Sequence, residues 1–451
     1  MRWIGLLRIS LCAGAICLMA GPLSAQSGPN LKVARMQLSN GLTVLALEDH
    51  TVPSIAYYTV FKVGSRNERP GITGLSHLFE HMMFNGSAKY KPKQFDQIIE
   101  AGGGDSNAFT TSDRTEYQEQ FSSATLDSVL LLEADRMRAL KLDAANIGQE
   151  RGIVKEERRV NTDNSVEGSL GELLWNNAFV AHPYRWETIG FMKDIDAIRL
   201  EDAKAYFRTY YAPNNAVVCV VGDFDTGALL AKMRKYFGDI PRQADPPPVI
   251  NAEPPQRGEK RIEFHRPAEL PALRIGYHIG DYKDLDDPAR DLLSTILSGG
   301  ESSRLYKSLV YEKQIATSVN ASNESRVDPG LVTFYAQAQQ GHTLAECESA
   351  LYAILDDIQK NGVTERELQK AKNAVRVGYV GSFKTNLSLA GQLAEYEANW
   401  GDWKKLPATP ARYDSVTLSD IQRIAKKIFR DRNRTVILLV PDKESSEGTA
   451  P

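Results

Sequence analysis

LEDAKAYFRTYYAPNNAVVCVVGDFD (residues 200–225) and LSDIQRIAKKIFRDRNRTVILLVPDKE (residues 418–444) are two versions of one pattern. Each opens with Leu-x-Asp on an amphipathic helical run, passes a polar turn, and continues into an apolar strand that ends in aspartate. Leu200 and Leu418 stand 218 residues apart, and Asp223 and Asp442 stand 219 apart. A unit that recurs at a nearly constant offset predicts a tandem duplication. The expected fold is therefore α+β: two homologous α/β domains in tandem, each an antiparallel-rich sheet covered by helices. Between them lies PRQADPPPVINAEPPQRG, residues 241–258, whose prolines and polar residues read as an extended linker. The expected segments are 26–240, a linker at 241–258, 259–445, and a flexible tail at 446–451.

Working outward, LTVLALED (42–49) and SIAYYTVFKV (54–63) alternate as strands running antiparallel to one another. In the second half PALRIGYHIG (271–280) and ARDLLSTILSGG (289–300) repeat the strand-then-helix order. The 451-residue chain suits two cores better than one. Its formal net charge of -3 argues against the basic field of a nucleic-acid binder. At the N-terminus, Arg2 and Arg8 lead into an apolar run at 9–20 that is too short to span a bilayer, followed by Pro22 and small residues up to Ala25. Residues 1–25 read as a cleaved secretory signal peptide, which predicts a periplasmic mature chain without a membrane span. Cys12 and Cys17 fall inside that leader. Cys219, in an apolar strand run, and Cys347 remain, so no disulfide scaffold is indicated.

The first half alone carries a chemical motif, His77-Leu-Phe-Glu80-His81, inside GITGLSHLFEHMMFNGS (71–87). On a helix from Leu75 to Phe84, with Thr73 as N-cap and Asn85-Gly86 as stop, the residues i and i+4 stack on one face. Both imidazoles then reach one ion, with Glu80 beside them; the same pair also fits a solvent-facing polar stripe. In GQERGIVKEERRV (148–160) the helical wheel puts Glu150, Ile153, Val154 and Glu157 on one face and Arg151, Lys155, Arg158 and Arg159 on the other. Two carboxylates on an apolar face need a cation or donors to compensate them. A glutamate-rich surface helix is the competing reading, and Glu156 lies off the stripe.

Taken together these residues resemble the pitrilysin/insulinase family of inverted zinc peptidases with His-x-x-Glu-His. The resemblance runs from LSNGLTVLALEDH (38–50) through GGGDSNAFTTSDRTEYQ (102–118) and AHPYRWETIG (181–190) to the last strand. In layout it is similar to the zinc-binding subunit of mitochondrial-processing-peptidase-like bacterial proteases. It implies one Zn2+ per chain held by His77, His81 and Glu157, with Glu80 as general base and Glu150 orienting the ligands. It also implies that a peptide or unfolded polypeptide substrate adds as a strand along Asn107, Ala108 and Phe109, and that the chain forms half of a clamshell. The competing reading of that stretch is an ordinary glycine-led hairpin. His182, which matches a family loop, is expected to be structural.

One departure stands out. The family carries an arginine and a tyrosine seven apart in the second half, contacting the substrate carbonyl. Here SSRLYKSLVYEKQIATSV (302–319) puts Val310 or Tyr311 and then Thr317 at those places, and Arg304 and Tyr306 have the wrong spacing. The resemblance then implies three alternatives: the catalytic subunit of a heterodimer whose homologous zinc-less partner supplies the pair, a self-sufficient homodimeric peptidase, or a non-catalytic peptide-binding scaffold.

Overall fold

The central strand of each half is the apolar end of the repeat. AVVCVVG, the strand β6 below, is buried at all seven positions, as a strand covered on both faces must be. The computed structural model describes residues 30–442; the expected leader (1–25) and tail (446–451) lie outside the described residues. The strands are β1 (Ala34–Gln37), β2 (Thr43–Glu48), β3 (Ser54–Phe61), β4 (Asp105–Thr110), β5 (Thr115–Ser122), β6 (Ala216–Gly222), β7 (Lys260–Arg266), β8 (Ala272–His278), β9 (Ala316–Glu324), β10 (Leu331–Ala338) and β11 (Arg434–Pro441).

They form two mixed sheets, ordered β1-β2-β6-β3-β5-β4 and β7-β11-β8-β10-β9. Leaving β1 aside, the second order repeats the first strand for strand. In each, one parallel pairing (β2 with β6, β7 with β11) sits among antiparallel ones. β2 and β3 do run in opposite directions, but they do not pair. The strand ending the repeat, β6, lies between them, bonded parallel to β2 and antiparallel to β3.

Inner faces of the two sheets pack on their own helices in two large apolar clusters. Their outer faces are covered by exchange. The helix Asn386–Trp400, from the second half, lays Leu389, Ala390, Leu393 and Ala394 on Leu45, Tyr58, Val60, Cys219 and Val221 of the first sheet. The helix Val166–Ala178, from the first half, lays Leu170, Leu174, Trp175 and Ala178 on Ala272, Leu331, Ile437 and Leu439 of the second. Each half thus keeps a core of its own, as expected, and the two are joined by clusters on the outer sheet faces that the expectation did not contain.

Residues 241–259 have no regular secondary structure. The segment is pinned where the Glu253 carboxylate accepts the backbone N–H groups of Val180, Ala181 and His182. His182 is buried at the same seam. Its Nε2 lies 3.1 Å from Asp328 Oδ2, and its Nδ1 accepts from the Tyr184 N–H. Among the described residues, no helix is long and apolar enough to cross a membrane.

Candidate metal centre

The motif helix spans Leu75–Met82, two residues shorter than the wheel suggested. Its N-cap is Gly74 in the left-handed region (φ 87°), not Thr73. A side chain at Gly74 would also collide with the Ile189 carbonyl, 2.5 Å from where a Cβ would sit. The Glu68 carboxylate takes over the capping, accepting from the N–H groups of Gly74 and Ser76, while Thr73 hydrogen-bonds Asp194. Leu75, Leu78, Phe79 and Met82 anchor the helix in the core. That leaves His77 and His81 one turn apart on the face toward the neighbouring helix, their ring centroids 4.9 Å apart.

That neighbour is the helix Ala144–Arg158, started by the Asp143 carboxylate accepting from Asn146 N–H. It presents Glu150 and Glu157 to the histidines. The wheel misplaced two of its residues. Ile153 is 46% exposed, away from the carboxylates. Arg158, expected on the polar face, is buried, gripping Glu172 with two hydrogen bonds and donating to the Gly190 carbonyl. The inward stripe therefore runs 150, 154, 157, 158. Glu156 is solvent-exposed and paired with Arg159.

His77 Nε2 lies 3.7 Å from Glu157 Oε1, and His81 Nε2 lies 3.4 Å from Glu157 Oε2. Within the described residues, His77, His81 and Glu157 form the one group of three or more potential ligands whose donor atoms lie within 4.8 Å of one another. These separations are long for hydrogen bonds. They suit the edges of a zinc tetrahedron, about 3.3–3.6 Å for ligands roughly 2.0–2.2 Å from the ion. The two-nitrogen, one-oxygen donor set fits zinc equally well. Glu150 Oε2 stands 3.5 Å from His81 Nδ1, the place from which a carboxylate orients a ligating imidazole. His77 Nδ1 is buried and makes no hydrogen bond among the described residues.

The electrostatics follow from this placement. Burial pushes His77 down to about 4, so it is neutral at ordinary pH. Burial opposes the His81 cation too, but the carboxylates of Glu150 and Glu157 outweigh it and hold His81 up at about 9. The His81 ring in turn keeps Glu157 below the usual carboxylate range. Glu80 is raised by burial, against the pull of Thr110 and His81. Thr110 Oγ1 donates to Glu80 Oε2 at 2.6 Å, a contact the sequence reading missed. The alternation of β4 could have shown it, because Thr110 shares the parity of Ala108.

β4 is an edge strand, pairing among the described residues with β5 alone, and it runs past the motif helix. Asn107 and Ala108 line a cavity of about 290 Å³ with Glu80, His81, Phe84 and Glu150. Phe109 is outside that lining and 38% exposed. A second cavity of about 500 Å³ opens from His77 and Glu157 toward the second half. A larger one, about 880 Å³, lies under the linker at residues 249–257 and touches none of the cluster.

The second half sends nothing from the 310–317 segment to this centre. Tyr311 is 73% exposed, and Thr317, also exposed, hydrogen-bonds Gln337 on the neighbouring strand. Arg304 is held by Glu367 and Asp357.

Comparison with known proteins places these features in a family. Residues 43–190 match the family model described as Insulinase (Peptidase family M16), and residues 197–375 match the one described as Peptidase M16 inactive domain. The chain is 33% identical to the zinc protease PqqE of Helicobacter pylori, over 90% of this chain and 92% of that one. It is 26% identical to an uncharacterized zinc protease of Mycobacterium leprae, over 93% and 94%. Among solved structures, a protease from Helicobacter pylori superposes with a TM-score of 0.88 at 33% identity, covering 91% of this chain and all of that one. The periplasmic protease PqqL of Escherichia coli shares the fold (TM-score 0.74, 17% identity), with 92% of this chain matched to 48% of that one.

Proposed function

The chain belongs to the insulinase family, peptidase family M16, and from that premise we propose that it is a zinc-dependent metalloendopeptidase acting on peptides or unfolded polypeptides. The observation that carries this reading is the convergence of His77, His81 and Glu157 at tetrahedral-edge distances, with Glu80 alongside and an open sheet edge beside them. The three would hold the ion. Zinc, when bound, supplies a Lewis acid that lowers the pKa of water and polarises a carbonyl.

The rest falls to the protein. Thr110 occupies Glu80 Oε2, so Oε1 is the atom free to take a proton from the attacking water and return it to the leaving amine. Burial strengthens Glu80 as a base, while the Thr110 hydroxyl and His81 keep its carboxylate available. Glu150 orients the His81 ring. An extended substrate would add along the outer edge of β4 at Asn107, Ala108 and Phe109 by main-chain hydrogen bonding, displacing the Asn107 Oδ1 that now accepts from the Ala108 N–H, so side-chain specificity is loose.

We extend the reading to a paired assembly in the periplasm, with a second chain of like fold closing over the cluster. Its support is the match of this chain to half the length of PqqL, together with the leader-like residues 1–25. A zinc-less partner supplying an arginine and a tyrosine fits the vacant character of positions 311 and 317. A non-catalytic, peptide-binding role is the second reading, favoured by that same vacancy.

The test is a quenched, unstructured peptide with zinc-replete chain, alone and with homologous partners. Glu80→Gln keeps the metal and loses turnover, whereas Glu157→Gln loses most of the metal and stays folded. Near-normal hydrolysis by Glu80→Gln would sink the mechanism. Peptide binding without hydrolysis under every pairing would favour the non-catalytic reading.

A further inference from the structure

Arg274 is an anomaly on its strand. In β8 the alternation sends Ala272, Arg274, Gly276 and His278 toward the helix Val166–Ala178, while Leu273, Ile275 and Tyr277 enter the other core. A guanidinium thus stands on a face that is otherwise apolar or small at its centre. Its side chain is 17% exposed. It makes no hydrogen bond among the described residues, and its Nε is buried without a partner. The carboxylates nearest to it, Glu324 at 3.7 Å and Glu167 at 3.9 Å, balance its charge from beyond hydrogen-bond reach. The terminal nitrogens of Arg274 have no acceptor within the described residues and are not sealed from solvent, so they are free to meet an incoming acceptor.

The acceptor's place is given by the cavity of about 500 Å³ that Arg274 shares with His77 and Glu157. Its chemistry follows from the neighbours. Glu167, Glu187 and Glu324 line the same space, so an incoming carboxylate gains little from the arginines Arg274 and Arg326. A neutral carbonyl meets the donors without that repulsion. Arg326 is already committed, stacked 3.6 Å over the Trp175 ring and donating to Ser112.

We propose that Arg274 donates hydrogen bonds to a main-chain carbonyl of the peptide bound beside His77 and Glu157, a substrate contact supplied by the second half of the same chain. The inference rests on the peptidase reading above. It makes the site less dependent on a partner's donors than the side chains at 311 and 317 imply.

The experiment measures binding of a fluorescent unstructured peptide to the zinc-loaded Glu80→Gln chain by anisotropy, with Arg274→Met and Arg274→Lys added in that background. Arg274→Met should weaken the peptide roughly 10- to 100-fold, the worth of a hydrogen bond from a charged donor. Zinc should stay at one per chain, and the thermal midpoint should stay within a few degrees. Arg274→Lys should recover part of the loss, and Tyr311→Phe and Thr317→Ala should leave binding unchanged. Peptides with free and amidated C-termini should lose equally. Unchanged affinity in Arg274→Met overturns the assignment, and so does a loss confined to free-carboxylate peptides, which would make Arg274 a terminus anchor. Should the parent Glu80→Gln chain bind no peptide, the peptidase reading itself falls and this inference with it. A parent that binds while Arg274→Met binds as tightly removes Arg274 alone.

Discussion

Zinc binding should release a proton at neutral pH, and Glu150 decides how far up the pH scale that continues. In the metal-free chain His77 is held at about 4 and is already neutral, whereas His81 is held at about 9 by Glu150 and Glu157 despite its burial. A ligating imidazole must be neutral. At pH 7 the ion therefore displaces the His81 proton across two pH units, a cost of about 2.7 kcal/mol. Apparent affinity should rise about tenfold per pH unit from 7 and level off near 9. The stability of the metal-free chain has the opposite sense. His81 is raised above its unfolded value, so its contribution is complete below about 6.5 and is lost as pH climbs through about 9.

Glu150→Gln removes one of the two carboxylates holding that proton, so the rise should level off at lower pH. Above the plateau the variant should bind zinc roughly 10- to 100-fold more weakly, because the imidazole has lost the group that orients it and strengthens it as a ligand. The two affinity curves should converge toward pH 7 and separate above 9. Chelator competition from pH 6.5 to 9.5 gives the curves. Calorimetry in two buffers of different ionisation enthalpy counts the protons. Zinc binding at pH 7 without proton release, or superimposable curves for the two proteins, would refute the reasoning.

Thr110→Val removes the hydroxyl that donates to Glu80 Oε2, which raises the carboxyl's proton affinity further. The acid limb of kcat/KM should move to higher pH with metal content unchanged, and a limb that stays in place or moves down would clear Thr110 of that role. Leu393→Ala, on the helix lent to the first sheet and fully buried, should cost about 2–5 kcal/mol in denaturant unfolding. Amide hydrogen exchange should show the loss in β2, β3 and β6, although those strands lie more than 170 residues away in the chain. Loss of protection confined to the second sheet would mean that this helix does not hold the outer face of the first.

The parts legible in the sequence were those set by local periodicity. The repeat at 200–225 and 418–444 has its periods, 3.6 and then 2, within one short stretch, and the two sheets repeat each other accordingly. His77 and His81 are a helical turn apart by arithmetic alone. What was not legible needed a partner from elsewhere in the chain. Nothing local to β2 and β3 shows that β6, from the far end of the first half, inserts between them. Nothing in residues 386–400 shows that their apolar face belongs to the first sheet rather than the second.

The helix at 144–158 shows the boundary most closely, because there the periodic reading was half right. Its carboxylates do face inward, and Val154 with them. Arg158 joins them only because Glu172 and the Gly190 carbonyl, supplied by later segments, accept from the terminal nitrogens of a guanidinium that the wheel consigned to solvent. Arg274 repeats that situation without acceptors for its terminal nitrogens: an arginine on an inward strand face, balanced by Glu324 and Glu167 at a distance and bonded to neither. Of these two inward-facing guanidiniums, the one whose terminal nitrogens find partners within the chain reads as architecture. The one left with idle donors beside a metal cluster reads as a place for substrate, and in both cases the distinction rests on long-range contacts that no single stretch of sequence contains.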